Sequence, residues 1–264
     1  MTTAIGKEDP PLLAVRGLDV VVGDRTLVRK LDLSLAGGET LAVLGRNGSG
    51  KTSLLHTLAG LRGAAAGGIA LCGKPYAELA PRAAAHLRGL LVQTHSDAFP
   101  ASVLETALIG RHPHLGRWAW EGAEDQRIAR AALEAVGLAG LEDRDVHSLS
   151  GGERQRLAMA TLLTQQPLLY LLDEPLAHLD LSHQIVMLEL AKRHAGECRA
   201  GFIIAIHDMN LALRYCQRAL LLYGDGRWKE GPGDEVLTVE NLSELYGQPL
   251  RTLPDGNARH FIAA

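Results

Sequence analysis

The stretch Gly45-Arg46-Asn47-Gly48-Ser49-Gly50-Lys51-Thr52 constrains this chain more than any other. It fits the pattern G-x-x-x-x-G-K-S/T. The apolar run Thr40-Leu41-Ala42-Val43-Leu44 ahead of it predicts a buried strand, and Ser53 to Ala59 after it predicts a helix. Strand, glycine-rich loop and helix in that order make a phosphate site. The glycines let backbone N–H groups close around phosphate oxygens where a side chain would obstruct them. The start of the helix adds unpaired donors and the positive end of its dipole. In such a loop Lys51 reaches the β- and γ-phosphates and the Thr52 hydroxyl ligates Mg²⁺. The chain is therefore expected to bind a nucleoside triphosphate.

What surrounds the loop points to parallel βαβ units. Leu168 to Leu172 and Gly201 to Ile206 read as buried strands, each followed by a helical stretch. Ala219 to Tyr223 reads as another strand, and Gly89 to Gln93 as a buried strand ending in a glutamine. Near the N-terminus, Leu12–Val22 and Thr26–Leu35 suggest two strands with Gly23-Asp24 turning between them, and Gly67–Gly73 a short one. Between Gln93 and about Leu163 the pattern is helical: Ser102 with Glu105 forms a capping box, and Ile128, Ala131, Ala132, Ala135 and Val136 mark an apolar helix face. The tail carries a helical segment around Asn241–Tyr246 and two short terminal strands, Leu250–Leu253 and His260–Ile262.

Composition excludes several classes. A net charge of −3 gives no support for a nucleic-acid surface. No apolar run approaches the roughly 20 residues that span a bilayer, and Met1–Pro11 is too polar for a secretory signal. Cys72, Cys198 and Cys216 are scattered without a C-x-x-C pair, so they read as free thiols in a reducing compartment. The expectation is a cytoplasmic chain that meets the membrane only through a partner.

Two further stretches carry chemistry. Leu168 to Glu174 is an apolar run ending in adjacent carboxylates. Asp173 is placed to hold Mg²⁺, and Glu174, pointing to the other face of the strand, is placed to polarise a water for attack on the γ-phosphate. Leu149-Ser150-Gly151-Gly152-Glu153 is locally a capping box that starts a helix at Arg154. Two glycines in a first helical turn cost stability, and a phosphate that must approach the backbone would account for them.

With that stretch the chain resembles the ATP-binding-cassette (ABC) ATPases, whose signature is L-S-G-G-Q/E. The resemblance covers nearly the whole sequence, with the phosphate loop at 45–52, Gln93, the signature at 149–153, Asp173-Glu174, Asp180 and His207 in the family's order. It implies an α/β fold: a P-loop (RecA-like) core with a mostly parallel sheet, an N-terminal antiparallel β subdomain, and an inserted α-helical subdomain at 94–163. A tail segment at 231–264 completes one nucleotide-binding domain over 1–264. By the same resemblance Gln93 touches Mg²⁺ and the attacking water. Ser150, Gly151 and Gly152 clamp the γ-phosphate of ATP on the opposite subunit, Asp180 crosses the dimer interface, and His207 contacts the γ-phosphate. Such an enzyme works as a head-to-tail pair with ATP and Mg²⁺ sandwiched between subunits, so a single cassette implies a homodimer or a pair with a related chain.

The aromatic residue with which the family usually stacks adenine is absent, because Val22-Gly23-Asp24 falls there, so the base is expected to rest on apolar contact alone. Leu176 and His178 replace the usual small residues before Asp180, which reads as interface tuning. The strings Gly110-Arg111-His112-Pro113-His114, Asp180-Leu181-Ser182-His183-Gln184 and Arg214-Tyr215-Cys216, and the tail from Val236 to Gly247, look like the ATPases of ferric-siderophore, haem and cobalamin importers. In these the segment after Gln93, here Thr94 to Pro100 and then Leu108 to His114, faces polytopic membrane subunits at the cytoplasmic face of the inner membrane, with cargo delivered by a periplasmic binding protein. His112 and His114 then read as docking or surface residues; Trp118 and Trp120 fit partner contact or local packing. A soluble ABC ATPase of an assembly scaffold, such as in iron–sulfur cluster biogenesis, shares every nucleotide motif. A chromosome-type ABC protein needs a coiled-coil or zinc insertion that Thr52–Leu149 lacks.

Overall fold

The computed structural model describes residues 10–93, 100–116, 118–255 and 258–264. Its centre is a six-stranded sheet built on β3 (Thr40–Gly45), the strand ahead of the phosphate loop, which continues into α1 (Lys51–Leu58). On one side of β3 lie β8 (Gly201–Ala205), β7 (Leu169–Asp173) and β6 (Arg88–Leu91), all parallel. On the other lie parallel β9 (Arg218–Leu222) and antiparallel β10 (Trp228–Pro232) at the edge. Burial on both faces explains the nearly unbroken apolar runs of β3, β7 and β8.

Side-chain alternation sorts these strands into two core layers. Leu41 and Val43 of β3 join Leu169, Leu171 and Ile203 in the layer that holds α1. Ala42 and Leu44 join Leu172 and Ile204 in the layer packed by α6 (Leu181–Cys198) and α7 (Met209–Tyr215). A second, antiparallel sheet has the order β2-β1-β4-β5, from β1 (Leu13–Val22), β2 (Arg25–Leu35), β4 (Ala66–Leu71) and the two-residue β5 (Lys74–Pro75). Its inner residues Leu13, Val15, Leu18 and Val20 complete the α1 layer.

Three helices pack on one another, α3 (Val103–Leu108), α4 (Ala123–Ala135) and α5 (Gly151–Gln165), and their buried side chains continue the core of the central sheet, with α5 against β6. The capping box of Ser102 and Glu105 is present. The buried face of α4 is Ala129, Ala132 and Leu133, so the stripe lies rotated from the expected one and Ala131 faces out. Leu133, which the periodicity argument passed over, is the large apolar side chain that sets the face. Helix α2 (Pro81–Leu87), begun by Pro81 at its first position, precedes β6 and was not read from the sequence. The tail adds α8 (Gly233–Val236), α9 (Val239–Tyr246) and the hairpin β11 (Leu250–Asp255)–β12 (Ala258–Ala263). No helix among the described residues is long and apolar enough to cross a membrane.

Candidate functional site

Because β3, β7 and β8 are adjacent and parallel, their carboxyl ends bring three loops to one sheet edge, the usual ligand side of such a sheet. These loops are the phosphate loop, Asp173-Glu174 and Ile206-His207. They border a cavity of about 700 Å³ whose lining includes Asn47, Lys51, Thr52, Gln93, Glu174 and His207.

The loop's shape depends on its glycines. Gly50, the N-cap of α1, sits at φ 106°. A Cβ there would stand 2.9 Å from the Leu27 Cβ, so both conformation and space require glycine. A Cβ on Gly45 would meet Ser49 Oγ and lie 2.7 Å from the Leu222 carbonyl oxygen. Gly48 is also left-handed, at φ 76°, and Ser49 N–H turns back to the Arg46 carbonyl at 3.0 Å. The Lys51 ammonium is buried; it donates to the Gly45 carbonyl at 3.0 Å and lies 3.8 Å from Glu174 Oε1. Burial lowers its pKa, while Glu174 and Asp173 pull it back up.

Asp173 is the last residue of β7 and fully buried, and neither carboxylate oxygen has a hydrogen-bond partner of regular geometry. Burial pushes its pKa up; the Thr52 hydroxyl stands close enough to favour the charged form without completing a regular hydrogen bond. An orphaned buried carboxylate beside a lysine and a hydroxyl is costly and suits a cation. Among the described residues no group of three His, Cys, Asp or Glu side chains could cage a metal. Asp173, Thr52 and Gln93 therefore fit an ion that takes one carboxylate, hard neutral oxygens, water and phosphate, which is how Mg²⁺ binds.

Glu174 stands one residue past the end of its strand. β7 stops at Asp173, and Glu174 takes a left-handed φ of 52°, which turns it to the cavity rim. There its Oε2 accepts from Gln93 Nε2 at 2.8 Å, and its Oε1 lies 2.7 Å from His207 Nε2. One carboxylate thus gathers Gln93, His207 and Lys51. The loop carrying His207 is held from behind by the Tyr246 hydroxyl, which donates to the His207 carbonyl at 3.3 Å.

Ser150, Gly151, Gly152 and Asp180 do not line this cavity. Ser150 caps α5: its Oγ accepts from Glu153 N–H at 3.2 Å, and the Glu153 carboxylate accepts from Ser150 N–H at 2.7 Å. Gly152 has a local reason beyond any phosphate, since a Cβ there would lie 3.1 Å from the His178 carbonyl oxygen. Asp180 caps α6, accepting from His183 N–H at 2.9 Å, Ser182 Oγ at 2.7 Å and His183 Nδ1 at 2.8 Å. These bonds, the backbone one first, hold its pKa at about 2.

Other expected positions fall away from the cavity. Arg111 is buried, with Nε on Asp125 Oδ1 at 2.7 Å and Nη1 on the Thr164 carbonyl at 3.1 Å, so it fastens the helical pack. His114 Nε2 lies 2.8 Å from the Gln165 carbonyl, a packing role. Trp118 and Trp120 are 88% and 89% exposed, which leaves local packing out. Residues 94–99, the first part of the stretch expected to face a membrane partner, lie outside the described residues. Sequence reasoning passed over Arg25 and Leu27, which line the cavity beyond the phosphate loop.

Residues 28–177 match the family described as ABC transporter. The chain is 44% identical over 243 residues to the hemin import ATP-binding protein HmuV of Deinococcus radiodurans, the match covering 90% of each. It is 40% identical over 243 residues to the protein of that name from Myxococcus xanthus, covering 89% of this chain and 90% of the relative. Among solved structures, it is similar to an inward-facing transporter assigned to the metal-chelate ABC type. That match has a TM-score of 0.84 and 30% identity, over 96% of this chain and 98% of the other.

Proposed function

The chain belongs to the ABC transporter family, and on that footing we propose that it is the ATP-hydrolysing subunit of a type II importer for a bulky metal chelate. The convergence of Lys51, Gln93, Glu174 and His207 on one cavity beside the orphaned Asp173 carries the catalytic part of this reading. The full-length similarity to proteins named for hemin import favours haem as the cargo. It acts as a homodimer, peripheral to the cytoplasmic face of the inner membrane, attached to polytopic permease subunits that receive cargo from a periplasmic binding protein.

The residues divide the work. Backbone N–H groups of 45–52 and the Lys51 ammonium hold the triphosphate. Asp173, Thr52 and Gln93 hold Mg²⁺, which when bound neutralises phosphate charge. The γ-phosphate draws Lys51 and His207 away from Glu174, which leaves that carboxylate free to take a proton from water. Gln93, bonded to Glu174 and next in sequence to the helical insert, links the nucleotide to the part of the chain that meets the permease. Ser150, Gly151 and Gly152 complete the partner subunit's site, with Asp180 at the interface between them. Positioning and electrostatics supply the rate enhancement.

The test is growth of the host on haem as its iron source after deletion of this chain. Wild type is expected to restore growth and Glu174→Gln is not. Growth on haem unaffected by the deletion overturns the cargo assignment.

A further inference from the structure

Beyond the phosphate loop the cavity continues along the tip of the β1–β2 hairpin, where Val22, Arg25 and Leu27 line it. Leu27 lies directly against the loop, since it is the side chain that a Cβ on Gly50 would strike. Arg25 is two residues earlier on β2 and so shares its face, about 7 Å farther from the phosphates. Val22 is its cross-strand partner. A triphosphate seated at Gly48–Thr52 therefore has Leu27 at the depth of its ribose and the Val22–Arg25 pair at the depth of its base. No Phe, Tyr or Trp is among the described residues lining the cavity.

Arg25 is available for a ligand. Among the described residues it makes no ion pair, and its Nη2 donates only a long 3.4 Å bond to the Gly224 carbonyl. That bond keeps the side chain at the cavity wall and leaves most of its donors unused. A guanidinium is planar, permanently charged and weakly hydrated, so it lies readily on an aromatic face, which a lysine ammonium does less well. We infer that Arg25 stacks on the nucleobase of the bound triphosphate, with Val22 in apolar contact beside it. Arg25 is then the base-recognition residue of this site, in the place of an aromatic ring. The inference rests on the nucleotide-binding reading of the cavity.

Binding of ATP and of inorganic tripolyphosphate, each with Mg²⁺, to the purified chain separates base contact from phosphate contact. Arg25→Ala is expected to weaken ATP binding about tenfold and to leave tripolyphosphate binding unchanged. Arg25→Tyr is expected to restore ATP binding, and Arg25→Lys is not. Equal losses for ATP and tripolyphosphate, or rescue by Arg25→Lys, make Arg25 a phosphate contact and overturn the inference. Unchanged ATP affinity in Arg25→Ala also overturns it. Lys51→Ala, which should lose both ligands, reports on the other reading: wild-type chain that binds neither ligand removes the nucleotide site itself. Arg25 is exposed at a hairpin tip, so an unchanged melting midpoint is expected to show that the variants fold.

Discussion

Replacing Glu174 by Gln tests the hub of the site with little disturbance to its shape. Glutamine is isosteric and takes the left-handed φ of 52° at the same cost, and its side-chain oxygen can still accept from Gln93. The substitution removes the base, and loss of a positioned general base typically costs about 10²–10⁴ in rate. That corresponds to roughly 3–5 kcal/mol in the barrier. It also removes a competitor for the phosphate. At 3.8 Å and an effective dielectric near 20, the Lys51–Glu174 attraction is about 4 kcal/mol. A γ-phosphate claiming Lys51 and His207 must offset part of that. Glu174→Gln is therefore expected to bind ATP more tightly than wild type, by several-fold, while turning over at least a hundredfold more slowly. Its ATP-bound dimer should persist through gel filtration. Turnover within threefold of wild type would remove Glu174 as the base; loss of ATP binding would make it a support of the loop instead.

Further substitutions test the other parts. Ser150→Arg should bind ATP normally as an isolated chain but fail to hydrolyse it, and should lose about 1 kcal/mol of stability with its cap; loss of ATP binding counts against a two-chain site. Gly50→Ala should lower the melting midpoint, through about 1–3 kcal/mol of left-handed strain and the contact with Leu27, and weaken ATP binding; an unchanged midpoint would refute the argument from loop geometry. Mg²⁺ with ATP should stabilise wild type more than ATP with a chelator does, and Asp173→Asn should abolish that difference; a retained difference removes Asp173 as a metal ligand.

The parts of this fold written into short stretches were legible. Gly45–Thr52, the apolar runs of the central strands and the capping box at Ser150 each combine a local conformation with a local composition, and each stands where the sequence puts it. The gathering of Gln93 and His207 onto Glu174 was not legible, because it depends on β6, β7 and β8 lying side by side. Likewise, the left-handed turn that carries Glu174 was not legible, since the apolar run gives no sign that the strand ends one residue earlier, at Asp173. Gly152 looked like a residue reserved for a phosphate, yet the His178 carbonyl packed on it supplies a second reason that only tertiary structure reveals. Arg25 was invisible for the same reason: nothing local distinguishes a hairpin-tip arginine that borders a cavity from one in solvent.

The central claim is that this ATPase drives a membrane transporter. Its most direct test is to tag the chain in its own host, solubilise membranes in detergent and identify what co-purifies. The account predicts a polytopic membrane protein in stoichiometric amount, whose complex hydrolyses ATP faster when presented with haem on its binding protein. Recovery of the chain only from the soluble fraction, with soluble partners, would contradict it.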